Sequence, residues 1–253
     1  MKSHNMVIIW VAIITLALAG PTQGSNIDAE AYEIMTGLQE LLRSDTNIAS
    51  YTMRVETPDW QRTLRFDSWD DRLGKRLFIR VVSPKKDKNT AYLKRDGNLW
   101  MYLPKLERKI RIPPSMMLSS WMGSTFTFDD LIKVASVVDD YTHRVVARNE
   151  QSKTIESVPK QDAPVVWGKL VSIVTLDGIP VSQVFFDEDG LERRKLLFED
   201  VREMDGRRIP TRWVMRPLDG SGKRTVLQLE TVQFDPQIES SMFTQSNMQR
   251  RGQ

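Results

Sequence analysis

Apolar and polar residues alternate along most of the chain with a period of two. In SYTMRVET (50–57), for example, Tyr51, Met53 and Val55 alternate with polar residues, and WQRTLRFDSW (60–69) continues the pattern. Tight-turn dipeptides separate the last four segments of this kind: Asp189-Gly190, Asp205-Gly206 and Asp219-Gly220. Such alternation is typical of antiparallel strands that expose one face to water, and it predicts about eleven or twelve strands.

Two segments show helical periodicity instead. From Ser25 to Arg43 the apolar residues recur at i, i+3, i+4 and i+7, which places them on one face of a helix. These residues are Ile27, Ala31, Ile34, Met35, Leu38, Leu41 and Leu42. Ser25 with Asp28 resembles the capping arrangement of a helix N-terminus. A second stripe lies in residues 129–141 and consists of Leu131, Val134, Ala135 and Val138.

These elements predict a mainly β fold with a few helices. An antiparallel sheet of so many strands must curl or split, and its apolar face needs a cover. We therefore expect a curved antiparallel sheet that forms an open half-barrel around the two helices. A two-sheet sandwich is the alternative, but it leaves the helices without a place. In the last strand the apolar parity changes between Leu229 and Val232, which predicts a β-bulge there.

The N-terminus has the pattern of a secretory signal peptide. Lys2 precedes an apolar run from Met6 to Ala19, and small residues before Ser25 suit a cleavage site. The run is shorter than the roughly 17–25 residues that a spanning helix needs. We expect residues 1–24 to be the signal and residues 25–253 to be a single exported, periplasmic domain. The chain has no cysteine, so it has no disulfide and no thiol to be lipidated.

Charge is spread evenly along the chain. The 36 basic and 33 acidic residues are interleaved, which argues against a nucleic-acid partner. Many arginines lie on the polar sides of predicted strands and form either a solvated face or an electropositive rim for acidic headgroups or a partner protein. They are the arginines at 62, 65, 76, 80, 193, 194, 207, 208, 212 and 216.

One connection is unusually rich in soft apolar residues. The stretch PPSMMLSSWMGSTFTFDDL (113–131) contains three methionines, a tryptophan and two phenylalanines. Methionine is unbranched and polarizable, so it suits a deformable binding surface. Two interpretations remain open: the segment is a lid that contacts an apolar ligand, or it fills the barrel as ordinary core.

The same region carries a family resemblance. Its elements are Trp100-x-Tyr102-x-Pro104, the pair Arg108 and Arg111, and the run MGSTFTFDDL at 122–131. With the leading helix and the late hairpins, the chain resembles the outer-membrane lipoprotein-sorting proteins of the LolA-like superfamily. It is most similar to their larger branch, which is associated with exporters of the resistance-nodulation-division (RND) type.

The resemblance implies an unclosed barrel whose apolar cavity carries a lipid or the acyl chains of a lipoprotein between the inner and outer membranes. It also implies an RND-type exporter in the inner membrane as partner and transient contact with a membrane surface. The expected cargo-binding residues of lid and cavity are Met116, Met117, Leu118, Trp121, Met122, Phe126, Phe128, Trp60, Leu64, Phe66, Leu99 and Met101. The alternative function is an accessory subunit with a packed interior that docks on the transporter.

No arrangement typical of an enzyme accompanies these features. His143 is the one histidine of the predicted mature chain, and it lies in a strand without a recognisable partner. Ser83-x-x-Lys86 and Ser157-x-x-Lys160 match a nucleophile spacing but lack the accompanying motifs. A glycine-rich phosphate loop is also missing from the sequence. We therefore expect a carrier that uses no cofactor, no metal and no covalent chemistry.

Overall fold

A computed structural model describes residues 28–133 and 137–250, with the backbone alone at residues 132 and 133. In this part of the chain thirteen strands form one antiparallel sheet with the order β6-β5-β4-β3-β2-β1-β13-β12-β11-β10-β9-β8-β7. Strands β1 to β6 pair in sequence order, as do β7 to β13, and β1 pairs with β13 at the central junction, so that β6 and β7 form the two edges. The expected signal peptide, residues 1–24, lies outside the described residues.

The strands closely follow the alternating segments of the sequence. Their bounds are β1 Thr46–Glu56, β2 Gln61–Asp71, β3 Arg76–Ser83, β4 Ala91–Arg95, β5 Asn98–Leu103, β6 Arg108–Arg111, β7 Tyr141–Arg148, β8 Ser152–Pro159, β9 Lys169–Thr175, β10 Pro180–Phe186, β11 Glu192–Met204, β12 Arg207–Pro217 and β13 Arg224–Phe234. The described helices are α1 Ala29–Arg43, α2 Phe128–Lys133, α3 Val137–Asp140 and α4 Gln245–Gln249, with short 3₁₀ turns at Pro114–Met116, Trp121–Gly123 and Ser240–Phe243. No described helix has the length and apolar character to cross a membrane.

The sheet is large, curved and open, as the sequence predicted. The predicted bulge is also present. Ser50 on β1 pairs with Thr231, whereas the next residue, Tyr51, pairs with Leu229, so that Glu230 of β13 is the extra residue. The bulge restores the apolar residues on both sides of it to one face of the sheet.

Helix α1 is confirmed, although it begins later than its apolar stripe suggested. Asp28 is the N-cap, and its carboxylate accepts a hydrogen bond from the amide of Ala31 at 3.1 Å. A second carboxylate oxygen of Asp28 accepts from the amide of Val145 on β7, at 2.9 Å. One side chain therefore both starts the helix and fixes it to the sheet. Ser25 lies outside the described residues.

The second predicted helix is divided into α2 and α3. Leu131 and Val138 are described, and Val138 is buried against α1, whereas Val134 and Ala135 lie outside the described residues. The short α2 starts with Asp129 and Asp130 in its first turn, where acidic side chains favour a helix N-terminus.

The C-terminal segment covers the outer, convex face of β3–β5. Phe243 and Met248 have no exposed surface and pack against Phe78 and Leu93. Arg80 donates to the backbone oxygens of Asn247, at 2.6 Å, and Arg250. This cover was not predicted, and it explains why β3 and β4 are buried on both faces.

Candidate functional site

The 113–131 segment fills the concave side of β1–β5. Trp121 is 2% exposed, and its ring contacts Phe66 edge-on at 5.2 Å and Tyr92 at 5.8 Å between centroids. Around it pack Met53, Val55, Leu64, Ile79, Val81, Leu99, Ile112, Phe128 and Leu227. We call this region the packed half of the concave face.

Polar contacts fix the segment in the packed half. Arg62 donates to the carbonyl of Met122 at 3.3 Å and to Asp87 at 2.6 Å, and the hydroxyl of Tyr92 lies 2.8 Å from the sulfur of Met122. The amide of Thr125 donates to the hydroxyl of Thr225 at 2.8 Å. These contacts join the segment to strands on both sides of the central junction.

Most of the expected cargo-binding residues lie in or against the core of the packed half. Leu64, Phe66, Leu99, Trp121 and Phe128 are buried in the packed core, and Met101, Met117 and Met122 pack against it. Trp60, Met116 and Leu118 are exposed by 47%, 43% and 58%. Of the twelve, only Phe126 lines the apolar cavity described next. The physical reason is that the segment's rings and methionines occupy the space that they were expected to enclose.

An apolar cavity lies under α1 and α3, against the concave side of β9–β12. We call this region the hollow half. The cavity has a volume of about 220 Å³. Its described lining residues are Met35, Leu38, Gln39, Leu42, Arg43, Phe126, Asp129, Asp130, Val137, Val138, Tyr141, Val165, Val166, Trp167, Leu170, Ser172, Pro180, Ser182, Gln183, Phe185, Leu196, Phe198, Trp213 and Met215.

Aromatic rings in fixed contacts form much of this wall. Trp167 meets Phe185 edge-on at 5.4 Å, and Phe198 meets Trp213 at 5.9 Å. The hydroxyl of Tyr141 donates to the carbonyl of Trp167 at 3.1 Å, and burial raises the pKa of this phenol to about 12. The phenol therefore stays neutral at physiological pH, and the wall is a firm apolar surface.

Arg194 supports this wall from behind. It is buried, and its guanidinium lies 4.4 Å from the ring centroid of Trp167 and 4.2 Å from that of Phe185. Two of its nitrogens donate to the carboxylate of Asp130, at 2.8 and 2.5 Å, which joins β11 to α2. Arg194 is therefore not part of a solvated rim, in contrast to Arg193, which is exposed and paired with Asp187.

One end of the cavity is polar. Arg43, the last residue of α1, binds Asp70 of β2 through Nε and Nη2, with distances of 2.5–2.8 Å. Asn47 donates to the same carboxylate at 3.3 Å. Lys94 is buried nearby, and desolvation together with the positive charge of Arg43 lowers its pKa to about 8.

His143 is buried in a structural position. Its Nδ1 is 2.7 Å from the hydroxyl of Ser157, its partner across β7 and β8, and neither residue lines the cavity. Desolvation lowers the pKa of the imidazole. Ser157 has no exposed surface, so its hydroxyl is not presented to a substrate. Among the described residues, no group of three or more His, Asp or Glu side chains is arranged to hold a metal ion.

Sequence reasoning assigned residues 165–176 to a strand and so missed the loop 160–168 as part of the site. The strand, β9, begins only at Lys169, and Val165, Val166 and Trp167 belong to the loop before it. All three residues line the cavity. An apolar run inside a loop between strands is the signal that could have drawn attention to it, because exposed loops are usually polar.

Comparison with known proteins places this geometry among related folds. A family model described as an uncharacterised protein matches residues 74–250. No curated protein matches the chain.

Three crystal structures share the architecture. A DUF1329 family protein from Desulfovibrio piger has a TM-score of 0.78 at 20% identity, covering 87% of this chain and 98% of that one. An outer membrane lipoprotein-sorting protein domain from Vibrio parahaemolyticus has a TM-score of 0.73 at 21% identity, covering 88% of this chain and 99% of that one. A LolA superfamily protein from Nitrosomonas europaea has a TM-score of 0.72 at 19% identity, covering 86% of this chain and 98% of that one. These likenesses establish the fold.

Proposed function

The chain belongs to the family of uncharacterised proteins whose model it matches over residues 74–250, and it has the LolA-superfamily fold; from this premise we propose that it is a periplasmic carrier for acyl chains. The carrier shields a lipid, or the acyl chains of a lipoprotein, between the inner and outer membranes. It acts without a cofactor or covalent chemistry. An RND-type exporter is the proposed inner-membrane partner.

The observation that carries this proposal is the apolar cavity of the hollow half. It is enclosed by aliphatic residues of α1, such as Met35 and Leu38, and by the aromatic wall of Trp167, Phe185 and Phe198. Burial of each methylene group from water contributes about 0.8 kcal/mol, so part of one acyl chain is enough for useful affinity. Apolar contact has little directional preference, which suits a carrier that must also release its cargo.

The cavity roof offers a route for entry and release. The roof consists of α1 and α3, and α1 touches the sheet mainly at β7 and β12. Glu30 of α1 pairs with Arg148 of β7 and with Lys153 of β8, and these ion pairs are partly exposed and therefore weak. We propose that the roof moves relative to β9–β12 when cargo enters, while the packed half stays unchanged.

Native mass spectrometry of protein purified gently from the periplasm tests this function. Wild-type protein should carry discrete lipid adducts, whereas Ser182→Leu, which places a larger side chain in the cavity wall, should lose them. Ser221→Leu makes the same change in an exposed turn and is the control, which should keep the adducts. An adduct-free wild type that stays so after incubation with envelope lipids would contradict the carrier function.

A basic sheet edge favours a second candidate, an accessory subunit that docks on a transporter. Strand β6 is an edge strand whose four residues are all exposed. Lys105, Arg108, Lys109 and Arg111 form no ion pair within the described residues, and the exposed Leu106 lies among them. Such an edge can pair with another chain or face an acidic surface.

Charge reversal separates the two candidates. If docking is the main function, Arg108→Glu with Lys109→Glu should abolish crosslinking of the protein to a membrane transporter in cells. Lys85→Glu with Lys86→Glu, at exposed positions of another loop, is the control. A variant of the β6 edge that crosslinks like wild type would remove this candidate.

A further inference from the structure

Among the described residues of the cavity wall, one side chain is cationic, and it has an unused donor. Arg43 lines the cavity beside Gln39 and Leu42. Its Nε and Nη2 both bind Asp70, but Nη1 is buried and has no hydrogen-bond partner. Buried guanidinium donors are normally satisfied, so this nitrogen is a position where a ligand oxygen would fit.

Among the described residues, the basic side chains of Arg43 and Lys94 and the carboxylate of Asp70 lie at the end of α1 and on the strands beneath it. Asn47, Asp70, Leu77 and Lys94 are successive partners across β1–β4, and the side chain of Arg43 lies over the first two. The partly buried Arg43 and the buried Lys94 thus lie on the same face of the sheet as the carboxylate of Asp70. Desolvation, Arg43 and Lys75 lower the pKa of Lys94, whereas Asp70 raises it.

The end of α1 does not cancel that positive charge. A helix C-terminus normally presents unpaired carbonyls that repel anions. Here the carbonyl of Glu40 accepts from Arg207 at 2.8 Å, and the carbonyl of Arg43 accepts from Asn47 at 2.9 Å. The acidic side chains in the cavity wall belong to α2, where Asp130 is ion-paired with Arg194.

We propose that Arg43 binds the anionic oxygen head of an amphiphile whose acyl chain occupies the cavity. A carboxylate or a phosphate would accept a hydrogen bond from Nη1 while the chain extends along the wall of Trp167 and Phe198. This inference rests on the proposed carrier function and deepens it. The acyl anchor of a lipoprotein is joined by ester and amide bonds and offers no such anion, so the preferred cargo is a fatty acid or a phospholipid.

Binding of three twelve-carbon ligands tests the proposal. Laurate has a carboxylate head, dodecyl phosphate has a phosphate head, and dodecanol has the same chain with a neutral head. Wild-type protein should bind at least one of the anions about tenfold or more tightly than dodecanol, since a charged hydrogen bond is being added. The tighter of the two anions distinguishes a fatty acid from a phosphate-headed lipid.

A double variant removes the guanidinium of Arg43 together with the charge of its ion-pair partner, Asp70. Arg43→Gln with Asp70→Asn should abolish the preference for the anions while dodecanol binds as before. The control is Arg62→Gln with Asp87→Asn, which removes an arginine–aspartate pair from the packed half and should keep the preference. Circular dichroism of both variants checks that they are folded.

The outcomes separate this inference from the carrier function. Equal affinity of wild type for all three ligands would overturn the anion site and leave the carrier standing. A preference that survives in the folded Arg43/Asp70 variant would overturn it as well. Failure of wild type to bind any of the three would overturn both.

Discussion

The two halves of the concave face belong to one sheet but are covered in different ways. In the packed half, β1–β5 are filled by the 113–131 segment, with Trp121 at its centre. In the hollow half, β9–β12 are covered by α1 and α3, which leave a cavity of about 220 Å³. The comparison teaches that the flexible side chains of the 113–131 segment fill the space beneath it, because methionines adapt to irregular gaps. Ring contacts occur in both halves, so the difference lies in the inserted segment and not in the rings.

The ion pairs of the two halves differ in the same sense. Arg62 reaches across the packed segment to Met122 and Asp87, so it holds a filler in place. Arg194 lies behind the cavity wall and supports Trp167 and Phe185, while Asp130 connects it to α2. Arg62 therefore anchors the 113–131 segment in the packed half, and Arg194 anchors the cavity wall in the hollow half.

The largest expected effect concerns the centre of the packed half. Trp121→Ala should lower the free energy of unfolding by about 3–5 kcal/mol, because a buried ring is replaced by a cavity. Urea unfolding measures this loss. The acyl-chain affinity of the folded variant should stay within about twofold of wild type. Such a change is well below the tenfold that corresponds to about 1.4 kcal/mol of binding free energy. A variant of unchanged stability that no longer binds ligand would reverse the roles of the two halves.

A matched pair of enlargements should give a smaller difference. Ala49 is 1% exposed and packs against Ile209 and Leu229. Ala49→Leu should destabilise the protein by about 1–3 kcal/mol, because a filled core has no room for added methylenes. Ser182→Leu adds similar bulk beside the cavity and should leave the urea midpoint nearly unchanged while blocking ligand. Equal destabilisation by both changes would show that the cavity wall at Ser182 is as tightly filled as the core at Ala49.

The smallest effect is pH-dependent and concerns the strands beside the roof. Burial lowers the pKa of His143 below 6.5, its ordinary value, with Ser157, the backbone of Val138 and the charge of Lys160 around it. Below that pH the unfolded chain takes up a proton that the folded state does not, so stability falls as the pH drops. His143→Gln should lose less stability than wild type between about pH 7.5 and 5.5 in urea unfolding. Identical pH slopes for the two proteins would contradict this assignment.

Much of the fold was readable from the chain because strand alternation and helical periodicity are local signals. The bulge at Glu230, the helix ending at Arg43 and the half-barrel class all followed from such patterns. The cover on the convex face did not, because it depends on packing between distant segments. The one local sign of this cover was the run of consecutive apolar residues in β3, Leu77 to Ile79.

The site was harder to predict because a cavity is a property of what remains unfilled. Residues 116–128 have the composition of a binding surface, yet most of them fill the packed half. Trp167 lies in an unpatterned loop, and Arg43 and Asp70 are 27 positions apart. Their meeting depends on the crossing of α1 over the sheet, which no spacing in the sequence encodes.

Photocrosslinking with a diazirine-bearing fatty acid tests the central claim most directly. After irradiation and proteolysis, labelled peptides are identified by mass spectrometry. We predict labels in α1 and in residues 165–215, the wall of the hollow half. Excess unlabelled laurate should suppress them. Labels confined to residues 113–125 would contradict the claim and return cargo binding to the methionine-rich segment.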